Sequence, residues 1–195
     1  MGEWIFKSVS LSFFSGDAVH ITGSNGSGKS TLLKVISGIT LPSTGDLYML
    51  EGNKALDLER RSNWISVCAP FVELFDHHPL REAIRFHRSL TPLKDGLDEN
   101  AVLDICYLTA SAEKRVGDLS SGMKQRLKLS LSILSEKPIL FLDEPCSNLD
   151  AEGIRWYQDL LRQNSEEKLL LISSNNKEEE HFICKKTINL ANYKK

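Results

Sequence analysis

Gly23-Ser24-Asn25-Gly26-Ser27-Gly28-Lys29-Ser30 fits the pattern G-x-x-x-x-G-K-[ST]. Glycines at these places let the backbone turn so that successive N–H groups converge on phosphate oxygens. A helix opening at Lys29 would add the positive end of its dipole. Lys29 would reach the outer two phosphates of a nucleoside triphosphate, and the Ser30 hydroxyl would ligate Mg²⁺. With Thr31 behind them, residues Gly23 to Thr31 are the candidate nucleotide-phosphate site. An incidental glycine-rich turn would not need the strand and helix signals that flank this one.

A second candidate lies far along the chain. Ile139-Leu140-Phe141-Leu142-Asp143-Glu144 is an apolar run ending in two carboxylates. A strand in the middle of a parallel sheet delivers its C-terminal residues to the crevice where ligands bind. Asp143 would then hold Mg²⁺, directly or through water, and Glu144 would act as general base on an attacking water. On their own, acidic residues after a strand belong to a solvated loop or a helix cap. The phosphate loop is what favours the chemical reading.

The elements that must position these groups alternate between short apolar runs and amphipathic stretches, an α/β pattern with a parallel sheet. Ala18 to Thr22 predicts a strand. A helix is expected from Lys29 to Ser37, with Gly38 as its stop. Extended structure is expected near Leu47–Leu50, and a short strand at Trp64–Val67. Residues 71–118 read as an inserted helical lobe, with helices at Leu80–Leu90 and Glu99–Leu108. A helix from Ser120 to Ser135 follows, with Met123, Leu127, Leu131 and Leu134 on one face. Then come the strand 139–142, a helix from Glu152 to Arg162, a buried strand at 169–172 and an edge strand at Thr187–Leu190. Glu178-Glu179-Glu180 reads as a solvated helix start.

At 195 residues, with 41% hydrophobic and 26% charged residues, the chain has the composition of one globular domain. Its 24 basic and 26 acidic residues give a net charge of −2, which argues against a nucleic-acid binder. No apolar run approaches the roughly 18 residues that span a bilayer. The start of the chain lacks the pattern of a signal peptide. Cys68, Cys106, Cys146 and Cys184 contain no Cys-x-x-Cys pair, and a reducing cytoplasm is expected. His77, His78 and His87 lack ligand partners at metal spacing. His20 reads as a core or edge histidine, and Cys146 as a small packing residue.

Between the two candidate sites lies Leu119-Ser120-Ser121-Gly122-Met123-Lys124-Gln125-Arg126. It resembles the signature segment of ATP-binding cassette ATPases, and Ser147-Asn148-Leu149-Asp150 resembles that family's D-loop. The resemblance covers nearly the whole chain. It implies a P-loop NTPase core with an inserted helical lobe and a small antiparallel β part, and hydrolysis of ATP with Mg²⁺. It also implies a head-to-tail dimer, with itself or a related ATPase subunit. ATP would lie between Lys29 and Ser30 of one subunit and Ser120, Gly122 and Asp150 of the other. A transmembrane permease, and a place on the inner face of the cell membrane through it, follow from the same resemblance. The Gly122–Arg126 segment is similar to that of simple exporters.

Three positions depart from the family pattern. Pro70 stands where a glutamine is expected, with Glu73 as a nearby substitute. Asn175 stands in the place of the switch histidine; it can hydrogen-bond a γ-phosphate or water but cannot take up a proton charge. His181, further along, reads as a surface residue. The aromatic residue that stacks on adenine would fall before Met1, so either that segment is missing or differently placed, or Trp4 substitutes. Phe71, Leu74 and Phe75 are expected in a groove that docks the permease. The other readings are a regulatory cassette that binds ATP with little turnover, and a non-transport cassette.

Overall fold

A computed structural model describes residues 4–175 and 177–194. Five parallel strands form the central sheet: β1 (Ala18–Thr22), β4 (Ile65–Cys68), β5 (Ile139–Asp143), β6 (Leu169–Ser173) and β7 (Lys186–Asn189). Their order is β4-β5-β6-β1-β7. β2 (Leu50–Glu51) and β3 (Lys54–Ala55) pair antiparallel in a separate small ribbon. The extended structure expected near Leu47–Leu50 is thus confined to this ribbon, and its four residues are exposed. Its apolar pair, Leu50 opposite Ala55, is left exposed instead of packed on a core, and the ribbon stays short.

β5 and β6 lie in the sheet interior. Their alternate residues face opposite sides, as the two-residue strand period requires. Leu140, Leu142, Leu170 and Ile172 enter one apolar cluster; Phe141 and Leu171 enter another on the opposite face. Both faces are covered, which is why these strands read as unbroken apolar runs. Fully burying one such side chain stabilises by about 1.5–3 kcal/mol. β7 is an edge strand, paired only with β1.

The helices are α1 (Lys29–Ser37), α2 (Leu80–Leu90), α3 (Glu99–Ile105), α4 (Ser121–Ile133), α5 (Ala151–Asn164) and α6 (Glu178–His181). α1 begins and ends as expected. Gly38 closes it in a left-handed conformation at φ 85°. α3 stops earlier than expected, because Tyr107 takes a left-handed φ of 57° and the Leu108 N–H closes back on the Leu103 carbonyl at 2.8 Å. α4 also departs from expectation. Beyond a single apolar face, Leu129, Ser130, Ser132 and Ile133 are buried as well. Its second half runs through the interior and is enclosed all round. Residues 71–118 contain α2 and α3 and no named strand among the described residues. No helix among the described residues is long and apolar enough to cross a membrane.

Candidate nucleotide and catalytic site

α1 has no side-chain cap. Gly28 occupies its N-cap position at φ 99°, and nothing from its own side accepts the first-turn N–H groups. Those donors are open to an anion. By contrast, α3, α4 and α5 are capped by Asp98, Ser120 and Asp150. The loop ahead of α1 is tight. A Cβ on Gly23 would stand 2.5 Å from Ser27 Oγ, and Gly26 takes φ 74°, a region that favours glycine. Ser27 Oγ is buried without a hydrogen-bond partner.

Lys29 folds back over this loop. Its Nζ donates to the Gly23 carbonyl at 2.8 Å and to Asn175 Oδ1 at 2.7 Å. Asn175 Nδ2 in turn donates to Glu144 Oε1 at 2.8 Å. Ser30 Oγ donates to Asp143 Oδ2 at 2.6 Å. The C-terminal ends of β1, β5 and β6 therefore bring Lys29, Ser30, Asp143, Glu144 and Asn175 to one mouth of the sheet. Asp143 is only 3% exposed. Glu144 holds φ 49°, a conformation uncommon outside glycine and asparagine. Such strain costs of order 1–3 kcal/mol and concentrates at functional positions. Its N–H donates to the Ser173 carbonyl at 2.9 Å, which locks the loop after β5 to the end of β6.

A hydroxyl and a carboxylate 2.6 Å apart beside a phosphate loop are hard oxygen donors, the set Mg²⁺ takes alongside substrate phosphates. The residues present fit that ion.

Other candidates lie elsewhere. No hydrogen bond joins Ser120, Gly122 or Asp150 to the phosphate loop among the described residues. Ser120 Oγ accepts from the Met123 N–H at 3.3 Å, and Asp150 Oδ1 from Gly153 N–H at 2.7 Å. Asn148 crosses close to Gly122, where a Cβ would meet its carbonyl at 2.9 Å. This contact gives Gly122 a packing reason of its own. Glu73 is exposed and lines an apolar groove with Leu74 and Phe75. Phe71 leaves that groove, its ring lying 4.5 Å from Lys34 Nζ; the cation draws it the other way. Trp4 is 49% exposed, while Ile5 and Phe6 press against Gly28.

Two expectations fail at α6. Glu180 is fully buried rather than solvated, and His181 stacks on His20 with ring centroids 3.7 Å apart. α6 has four residues, too few for an apolar period to reveal which side faces in. Gln125 was also missed. Its buried Nε2 donates to the Pro145 carbonyl at 2.8 Å, tying α4 to the segment that follows Glu144. A glutamine in a basic, helical stretch carries no sequence signal for this.

Comparison with known proteins agrees with the geometry. A family model described as ABC transporter matches residues 6–147, most of the chain. The chain belongs to the ABC transporter family. The cytochrome c biogenesis ATP-binding export protein CcmA of Brucella abortus is 29% identical over 84% of this chain and 74% of its own length. The spermidine/putrescine import ATP-binding protein PotA of Thermotoga maritima is 33% identical over 76% of this chain, but the match takes in only 41% of PotA. A dimeric ATP-binding cassette in a post-hydrolysis state, bound to ADP and Pi, superposes with a TM-score of 0.80 at 22% identity, covering 97% of this chain and 88% of the other. The parallel sheet with its helices and small antiparallel pair is thus the ABC ATPase fold.

Proposed function

We propose that this ABC ATPase domain hydrolyses ATP to ADP and phosphate and powers a membrane exporter as its ATPase subunit. The observation that carries the reading is the chain of contacts Lys29–Asn175–Glu144 beside the Ser30–Asp143 pair. It gathers a cation, a carboxylate and a hydroxyl–carboxylate pair around one crevice, the groups the reading requires. The open N–H groups of α1 and Lys29 would bind the phosphates. Ser30 and Asp143 would hold Mg²⁺, which neutralises charge developing on the phosphate oxygens. Asn175 donates to Glu144 Oε1 and so orients the carboxylate. Oε2, which among the described residues has a single long contact to Ser147 Oγ at 3.5 Å, is left to take the proton of the attacking water.

Export is supported by the extent of the match to CcmA, which takes in most of both chains. A permease would dock in the groove between α2, α4 and the segment that follows β4. Phe75, Phe86 and Leu90 are 56%, 46% and 68% exposed there, a cluster of apolar side chains open to a partner. Ser120, Gly122 and Asp150 would complete the site of a second subunit in a head-to-tail dimer. Pro70 and Asn175 favour a second reading, a regulatory cassette with little turnover.

Glu144→Gln decides between them. General-base catalysis contributes about 10²–10⁴-fold, so phosphate release should fall by at least 100-fold while ATP affinity stays within a few-fold. Near-zero release in both the native and the Glu144→Gln chain would establish the regulatory reading instead.

A further inference from the structure

The geometry points to Glu180 as a positioning residue that sets the distance between Asn175 and Glu144. The inference rests on the reading of Glu144 as the general base. Glu180 is fully buried, yet it belongs to none of the phosphate, metal or base groups. A buried carboxylate is costly unless it is hydrogen-bonded, and this one is bonded to both catalytic loops. Its Oε2 accepts from Ser174 Oγ, and Ser174 directly precedes Asn175. Its Oε1 accepts from the Cys146 N–H at 3.3 Å, and Cys146 lies two residues beyond Glu144. Lys177 Nζ stands 3.8 Å from Oε1.

The bridge itself is anchored. The hydroxyl of buried Tyr157, on α5, donates to the Glu180 carbonyl at 2.7 Å, and Gln158 Nε2 donates to the Glu179 carbonyl at 3.3 Å. Ser174 is held in turn, its N–H donating to the Ile21 carbonyl at 3.2 Å and its Oγ accepting from the Lys177 N–H at 3.3 Å. One carboxylate thus fixes the loop after β5 to the loop after β6, and the 2.8 Å contact from Asn175 to Glu144 is what that brace holds in register. A displacement of about 1 Å in a catalytic constellation can cost about 100-fold in rate.

The experiment compares kcat, counted per ATP-binding site from stoichiometric titration, and KM in the full chain. Glu180→Ala removes both arms, and kcat should fall at least tenfold with ATP affinity within twofold. Glu180→Gln can accept from Cys146 N–H and donate to Ser174 Oγ, so it should recover at least a third of the native kcat. Ser174→Ala removes one arm with the carboxylate in place, and should lower kcat at least threefold; it carries the test if Glu180→Ala does not fold. A kcat within twofold of native in Glu180→Ala, or no recovery in Glu180→Gln, would overturn the role. Glu144→Gln separates the two readings. Its loss of turnover beside an unchanged Glu180→Ala overturns the brace alone, whereas retained turnover in Glu144→Gln overturns the base and the brace together.

Discussion

His20 and His181 stack with their planes 8° apart, and the Nε2 atom of each is buried without a hydrogen-bond partner. Burial pushes the His20 imidazole below its ordinary value; the nearby His181 and, more weakly, Lys29 add to this, while the Ser174 backbone opposes it. His87, half-buried beside α4, is shifted the same way, chiefly by desolvation. For a histidine lowered in the folded chain, the unfolded chain binds the proton first as pH falls. Stability is therefore intact well above pH 6.5 and is lost as pH falls through that value toward the folded pKa. Burial raises Glu180, which acts in the opposite sense, so the comparison must be between variants. The melting temperature should drop between pH 7.5 and 5.5, and drop less in His20→Phe, which keeps a ring in the stack. Parallel curves for the two proteins would remove His20 as the source. The stack joins β1 to α6, two elements distant in the chain. Nothing local marks it, and the sequence supports only a core or edge position for His20 and a surface one for His181.

At the scale of elements, what the sequence makes legible is what local pattern determines. Apolar runs with turn residues around them place β1, β5 and β6 within a residue or two, because both faces of the central sheet are covered. α1 and α2 are placed to the residue, the first by its glycine stop and the second by its amphipathic period. The phosphate loop and the Asp143–Glu144 pair could be named because strand ends and a helix start carry them. What the sequence leaves hidden are connections between elements: Gln125 to Pro145, Glu180 to the loops after β5 and β6, and the departure of Phe71 toward Lys34. The end of α4 is another. Lys168, in the turn before β6, donates through Nζ to the Ile133 carbonyl at 3.0 Å and to the Ser135 carbonyl. Its cation meets the negative end of the helix and satisfies carbonyls the helix cannot. Burial pulls its ammonium down to about 8, so it still carries the charge at neutral pH. Lys168→Met keeps the stem but leaves those carbonyls unpaired, which costs about 1–3 kcal/mol. At about 2–4 °C per kcal/mol for a chain of this size, calorimetry should show a melting temperature lower by at least 2 °C. An unchanged melt would mean that water satisfies the carbonyls equally well.

At the scale of the whole molecule, no hydrogen bond among the described residues joins the capped start of α4 to the uncapped start of α1. α1 offers its first-turn N–H groups to phosphate within the chain. Ser120, exposed at the start of α4, has its hydroxyl engaged by the Met123 N–H through a 3.3 Å contact. A long contact of this kind is weak, and it can be exchanged for a phosphate oxygen brought by another subunit. The phosphates would then be part of the contact between subunits, and without them the uncapped α1 donors would face the partner without an acceptor. Association should follow nucleotide by mass action. The chain should be monomeric without nucleotide, and the Glu144→Gln variant, which retains ATP, should elute as a dimer with ATP and Mg²⁺. Adding Ser120→Glu to that variant sets a carboxylate against the γ-phosphate of the other subunit, and the like charges repel. Size-exclusion chromatography should then show a monomer even with ATP, while titration still finds one ATP per chain with affinity within threefold, because Lys29 and the α1 donors are untouched. A dimer that survives Ser120→Glu, or one that forms without nucleotide, would mean that the subunits meet through another face.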